Sequence, residues 1–113
     1  MNAERLIKQL EKAISKDQRP EKKIQAYCLL AKLYHRKGDE TKAHKHFTKA
    51  KDEFFNIYTD EIQRLENAYL FGNSEEIKRE ETKVERMLKR YKSKLIHVGK
   101  EIDRETIFLW MPD

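Results

Sequence analysis

Between Asp39 and Phe71 the chain contains neither glycine nor proline, and all 113 residues hold only three Gly and two Pro. These residues are the strongest local interrupters of regular structure, so a chain with so few of them has few places to turn. Charged residues make up 40% of the sequence, well above the share in an average globular domain, and they are interspersed with periodic apolar positions. Long amphipathic helices satisfy that combination better than strands do, and the periodicity argues against disorder over most of the length. The expected class is all-α, with one domain and one modest core.

The helical stripes can be traced segment by segment. Asn2 to about Lys16 sets Leu6, Leu10, Ala13 and Ile14 on one face. The segment ends in KDQRP, where Pro20 biases Arg19 away from helical angles. A second helix, about Glu21 to Lys37, turns Ile24, Tyr27, Leu30, Ala31 and Tyr34 inward and stops at Gly38, suited to a left-handed C-terminal position. Asp39 can cap the third, whose stripe is Ala43, Phe47, Ala50 and Phe54. That helix either continues unbroken through Ile62 and Leu65 to Tyr69 or turns at FNIYTD, with Asn56, Thr59 or Asp60 capping a fourth; the turn is the preferred reading. Gly72 closes this stretch, and Asn73 with Glu76 three residues on is a capping-box signal for a further helix. It carries Ile77, Val84, Leu88, Tyr91 and Leu95 to about Val98, before Gly99. Its glutamates gather near the start and its lysines and arginines near the end, as the helix dipole favours.

Tyr27, Leu30-Ala31 and Tyr34, then Gly38-Asp39, then Ala43, Phe47 and Ala50, resemble the tetratricopeptide repeat: large, Leu, small and aromatic on a first helix, Ala, aromatic and Ala on a second. Gly72-Asn73 falls one period of about 34 residues after Gly38-Asp39. In that second copy Glu61, Arg64 and Glu81 stand where core residues belong, so it is degenerate, and Phe55 occupies the place of the family's proline. The resemblance implies a short antiparallel stack of helical hairpins over residues 1–99, with the clearest repeat at 24–57, the degenerate copy at 58–90 and an apolar tail at 100–113. An unrelated helical bundle meets the same pattern.

Proteins of this family bind peptides or partner helices along the first helix of each hairpin. Carried to this chain, that groove side is Gln25, Cys28, Lys32 and His35, with Gln63, Glu66 and Tyr69 from the degenerate copy. Cys28 and Lys32 replace the Lys and Asn with which some members clamp a chaperone's carboxylate tail, so that specificity does not carry over. Ile107, Phe108, Leu109 and Trp110 form a second candidate surface, either folded back on the stack or docked on another protein or copy. The expected function is a non-enzymatic adaptor or regulatory subunit that binds protein, with self-association because a short stack leaves apolar ends.

Nucleic-acid binding is the competing class. The net charge is +5, its excess lying in residues 1–57. Lys42, Lys45 and Lys49 share a helix face, and Arg86, Lys89, Arg90, Lys92 and Lys94 crowd a helix end, as phosphate contacts would. Acidic residues are interleaved and no reading motif accompanies them. Catalytic signatures are lacking: His44 and His46 diverge by roughly 160° on a helix. His35 and His97 have no adjacent nucleophile or carboxylate in sequence, and no glycine-rich phosphate loop occurs. No metal or cofactor is expected. The lone Cys28, with no metal-ligand spacing around it, and an N-terminal segment threaded with charge point to a cytoplasmic protein without a membrane span.

Overall fold

The structure, a computed structural model, describes residues 3–17 and 19–102. Among them it is all-helical: α1 (Ala3–Lys16), α2 (Pro20–Lys37), α3 (Glu40–Phe71), and a C-terminal rod made of α4 (Ser74–Met87), a π-helical turn (Leu88–Lys92) and α5 (Ser93–Ile102).

The breaks between helices are set by single residues. Arg19 is extended ahead of Pro20, and its guanidinium holds the Asp17 carboxylate at 2.7 Å, which draws that carboxyl down to about 2. Gly38 adopts φ +93°, a left-handed angle that a side chain would strain, while Asp39 N–H returns to the Tyr34 carbonyl at 2.9 Å. Asp39 Oδ1 then accepts the Lys42 backbone N–H at 3.2 Å and starts α3. At the next corner Gly72 N–H bonds the Ala68 carbonyl at 2.8 Å, and Asn73 Oδ1 accepts from Glu76 N–H at 2.9 Å. A Cβ on Gly72 would lie 2.8 Å from that same carbonyl oxygen, so the tight corner needs glycine.

Three expectations are corrected. The chain does not turn at FNIYTD: α3 is one helix of 32 residues. Phe47, Phe54, Glu61 and Ala68 recur every seven residues as its buried line, and helical hydrogen bonding through Asn56, Thr59 and Asp60 leaves them no capping role. At 1.5 Å per residue α3 is about 48 Å long. It therefore runs nearly the whole 52 Å of the molecule. Gly99 does not end the last helix but is buried within α5, which continues to Ile102. On α1 the buried residue is Ile7, with Leu6, Leu10 and Ile14 half-buried beside it, and Ala13 is exposed.

Successive helices run antiparallel, and the rod returns along α3 in the same direction as α2. One core cluster joins Ile24, Cys28 and Ala31 of α2, Phe47, Ala50 and Phe54 of α3, and Tyr91, Leu95 and Val98 of the rod. A second joins Ile7, Leu30, Tyr34 and Ala43, with α1 tied down by Tyr34 O–H donating to Glu11 at 2.9 Å and by Lys37–Glu4 at 3.2 Å. Arg36–Glu101 at 3.7 Å adds an exposed ion pair between α2 and α5. The thinnest dimension is 18 Å, room for two helix layers. One layer is α3 with the rod; the other, α1 with α2, covers only the end of it nearer the core.

Candidate interaction site

The groove residues carried over from the family resemblance are not brought together. Cys28 is 2% exposed and sits in the core against the rod, so it lines no groove. Burial pushes its thiol up to about 11, which suits a small packing residue rather than a reactive one. The physical reason is the rod: Tyr91 of the π turn with Leu95 and Val98 of α5 fills the face of α2 that the groove would have used. His35 Nδ1–H is spent on Glu40 at 2.6 Å, closing the α2–α3 hairpin. Lys32 is half-buried, and Gln25 borders a cleft of about 290 Å³ between α1 and α2, walled by Leu10, Ala13, Ile14 and Leu29. Gln63, Glu66 and Tyr69 lie far along α3, exposed, with Gln63 reaching only Asn67.

The basic clusters occupy separate places as well. Lys42, Lys45 and Lys49 border a cleft shared with Glu11, Tyr27, Tyr34 and His46. Lys42 sits 5.4 Å above the Tyr34 ring and Lys49 5.7 Å above Tyr27, so two of the three ammonium groups rest on aromatic faces. His46 stacks on Tyr34 and donates from Nδ1 to the Lys42 carbonyl at 2.8 Å. Arg86 and Arg90 border a second cleft, of about 410 Å³, at the root of the α3–α4 hairpin. Its wall includes Glu61, 2% exposed and touched by Arg64 at 3.4 Å, and Tyr91, whose buried hydroxyl has no hydrogen-bond partner among the described residues. Lys89 is on the outer surface of the π turn beside Glu85, Lys92 is half-buried, and Lys94 is exposed near enough to Cys28 for its charge to be felt there. Ile107, Phe108, Leu109 and Trp110 lie outside the described residues.

What the sequence did not single out is the side of the α3–α4 hairpin opposite these polar clefts. Seen down α3, Phe54, Glu61 and Ala68 form the line nearest the rod. Ile57, Asp60, Arg64 and Phe71 fall to one side, where they border clefts with Lys83, Arg86 and Arg90, then with Glu76, Arg79 and Glu80. Glu21 of α2 borders the first of those clefts, so the α1–α2 layer lies on that side too. Tyr58, Ile62, Leu65 and Tyr69 fall to the other side, alongside Ile77, Val84 and Leu88 of the rod, with Tyr58 stacked on Phe54 and both Tyr58 and Leu88 packed at the edge of the core cluster. None of these seven is fully buried: six are half-buried and Tyr69 is 56% exposed. Helix α4 has no buried residue at all.

The π turn explains why the rod's apolar stripe is divided. The expected inward line of Ile77, Val84, Leu88, Tyr91 and Leu95 is buried only from Tyr91 onward, with Tyr91, Leu95 and Val98 in the core. A π turn inserts one residue into the helical register and rotates the helix on its N-terminal side relative to the helix on its C-terminal side. Ile77, Val84 and Leu88 thereby stay only half-buried, with Leu88 packed at the edge of the core cluster. At the tip Leu70 and Phe71 are 72% and 85% exposed. The result is a helix pair whose one side forms clefts bordered by charged residues and whose other carries a row of half-buried apolar side chains that ends in exposed Tyr69, a feature that can mark an interaction surface.

No helix among the described residues is long and apolar enough to cross a membrane. No protein-family model matches the chain, and none of the curated proteins or solved structures compared with it matches either.

Proposed function

We propose that this chain is a non-enzymatic protein-interaction module, a small cytoplasmic adaptor or regulatory subunit of tetratricopeptide-like construction, which takes a protein partner on the open apolar side of the α3–α4 hairpin. The observation that carries this reading is the row of Tyr58, Ile62, Leu65 and Tyr69 beside Ile77, Val84 and Leu88, of which Tyr69 is 56% exposed and the other six are only partly covered by the helices present. A helix pair with one apolar side open can accept another helix or helix pair by ridge-into-groove packing. The α2–α3 hairpin, with its left-handed Gly38 corner and small Ala31 and Ala43 at the contact, supports the family likeness. The binding side moves, in this reading, from the first helix of that hairpin to the distal half of the second.

The test is the double variant Ile62→Asp with Leu65→Asp, measured by far-UV circular dichroism and thermal melting in dilute solution. On a partner surface the two carboxylates stay in water and the isolated chain keeps its helicity. Loss of helicity would show these residues to be core and overturn the reading.

A nucleic-acid role has one specific observation in its favour, the cleft where Lys42, Lys45 and Lys49 meet the rings of Tyr27 and Tyr34, since phosphates and bases are held by lysines and aromatic faces. A mobility shift with a single-stranded oligonucleotide that vanishes in a Lys42→Glu, Lys45→Glu, Lys49→Glu variant would favour it. No shift at low salt would eliminate it.

A further inference from the structure

We propose that the cleft between α1 and α2 is the docking site of this chain's own C-terminal segment, with the side chains of Ile107 to Trp110 as its occupant. The cleft, of about 290 Å³, has Leu10, Ala13 and Ile14 on one wall and Ala26 and Leu29 on the other, with Asp17 and Lys22 at the α1–α2 corner. Both walls lack a cover. Ala13 is exposed, and Leu29, at 39%, is the large apolar side chain left exposed among the described residues away from the α3–α4 tip. Helix α1 buries only Ile7, so its hold on α2 is thin and an added apolar layer would thicken it.

The place where the described chain ends selects the occupant. Ile102, the last residue of α5, packs against the cluster of Ile7, Leu30 and Tyr34, which Leu10 and Ile14 of the cleft also border. The Arg36–Glu101 pair sets that end of α5 level with the last turn of α2. From Arg36 back to Leu29 is about 10 Å along the helix. The five steps from Ile102 to Ile107 span up to about 17 Å, so Ile107 reaches Leu29 with slack. Three further steps to Trp110, about 10 Å at full extension, match the roughly 10 Å from Leu29 to Lys22 along α2. The row on the α3–α4 hairpin is out of range by the same measure: Leu88, its member nearest the chain end on the rod, lies about 20 Å back from Ile102.

The chemistry agrees with the reach. Ile107 to Met111 is a run of five apolar residues, with Asp103, Arg104 and Glu105 before it and Asp113 after it. The run gains by leaving water, while the charged flanks stay in it. Asp113 then falls at the corner end of the cleft, where Lys22 is exposed and the Asp17 carboxylate is already held by Arg19.

The test uses the full chain, whose single tryptophan is Trp110. Its emission and its quenching by acrylamide are read across a dilution series, beside Leu29→Glu, Ala13→Arg on the opposite wall, and Leu70→Glu at the hairpin tip as control. The unaltered chain is expected to give blue-shifted emission that is shielded from acrylamide and unchanged by dilution. Leu29→Glu and Ala13→Arg should each raise quenching several-fold and move the emission to that of an indole in water. Far-UV circular dichroism should stay unchanged, because both side chains replaced are exposed. Leu70→Glu should alter neither reading. Water-like emission from the unaltered chain would overturn the proposal, as would shielding that survives both cleft variants. Shielding that fades on dilution would assign the cleft to the tail of a second copy and overturn the intramolecular occupant. Loss of helicity in both cleft variants would make these walls part of the core and overturn the site.

Discussion

Leu95→Ala tests the packing that removes Cys28 from any groove. Leu95 has no exposed surface and lies between Ile24, Cys28 and Ala31 of α2 and Phe47, Ala50 and Phe54 of α3, so it pins the rod across the α2–α3 hairpin. Truncating a leucine in such a place loses the transfer energy of three carbons and leaves a void, which together cost about 3 kcal/mol within the usual 2–5 range. A domain of this length has a total stability of roughly 6–17 kcal/mol. At about 4–8 °C per kcal/mol, the melting temperature should fall by some 12–24 °C. Neighbouring Ala31 and Ala50 are too small to close the gap, which favours the full cost over a relaxed one. The assay is urea denaturation monitored at 222 nm, with Leu70→Ala as control: Leu70 is 72% exposed and its truncation should stay within about 0.5 kcal/mol. The denaturant slope should be unchanged, because α5 unfolds together with the rest. A loss under about 1 kcal/mol, or a shallower slope, would mean that α5 does not close the core and that the face of α2 is free after all.

Three further outcomes rest on single residues. Gly38→Ala should cost about 1 kcal/mol in the same assay; the added methyl meets nothing within 4 Å, so a larger loss would show that more than the φ of +93° is at stake. Tyr91→Phe removes a buried hydroxyl without a described partner and should be neutral or stabilising by up to about 1 kcal/mol, and a marked drop in melting temperature would show that the hydroxyl is bonded. Tyr34 is held un-ionised by burial and by donating to Glu11, which pushes its phenol up to about 12. Its contribution is therefore complete below pH 10, where neither state ionises, and is lost as pH rises from 10 toward 12 and the unfolded chain sheds its proton first. Tyr34→Phe should flatten the fall of the urea midpoint over that window, and an unchanged fall would refute the assignment.

Much of the fold was legible because its corners depend on residues with few alternatives. Pro20, Gly38, Asp39, Gly72 and Asn73 all sit where their backbone or side-chain chemistry is needed. The continuity of α3 was hidden by Glu61: a carboxylate at a buried position of the seven-residue line breaks the apolar rhythm and makes nearby Asn56, Thr59 and Asp60 look like a corner. Helix caps and helix interiors draw on the same polar residues, and only packing decides between them. The groove reading failed at Cys28 for a different reason. A resemblance confined to one hairpin carries no information about the elements that lie across it, and here Leu95 and Val98, far along the chain, take that place. The open apolar side was missed because the π turn has no signature in LKRYK, and without it Ile77, Val84 and Leu88 run in register with the buried Tyr91. The absence of glycine and proline across residues 40–71 was the signal that could have extended α3, and with it the hairpin that bears the surface.

The most direct test of the account is the mass of the full chain in solution by light scattering, at low and moderate salt, beside the Ile62→Asp, Leu65→Asp variant. The account predicts that any dimer formed through this surface persists at moderate salt, since apolar packing holds it, and that the variant is monomeric with unchanged helicity. A dimer unaffected by the two aspartates would contradict it, because association would then run through some other surface.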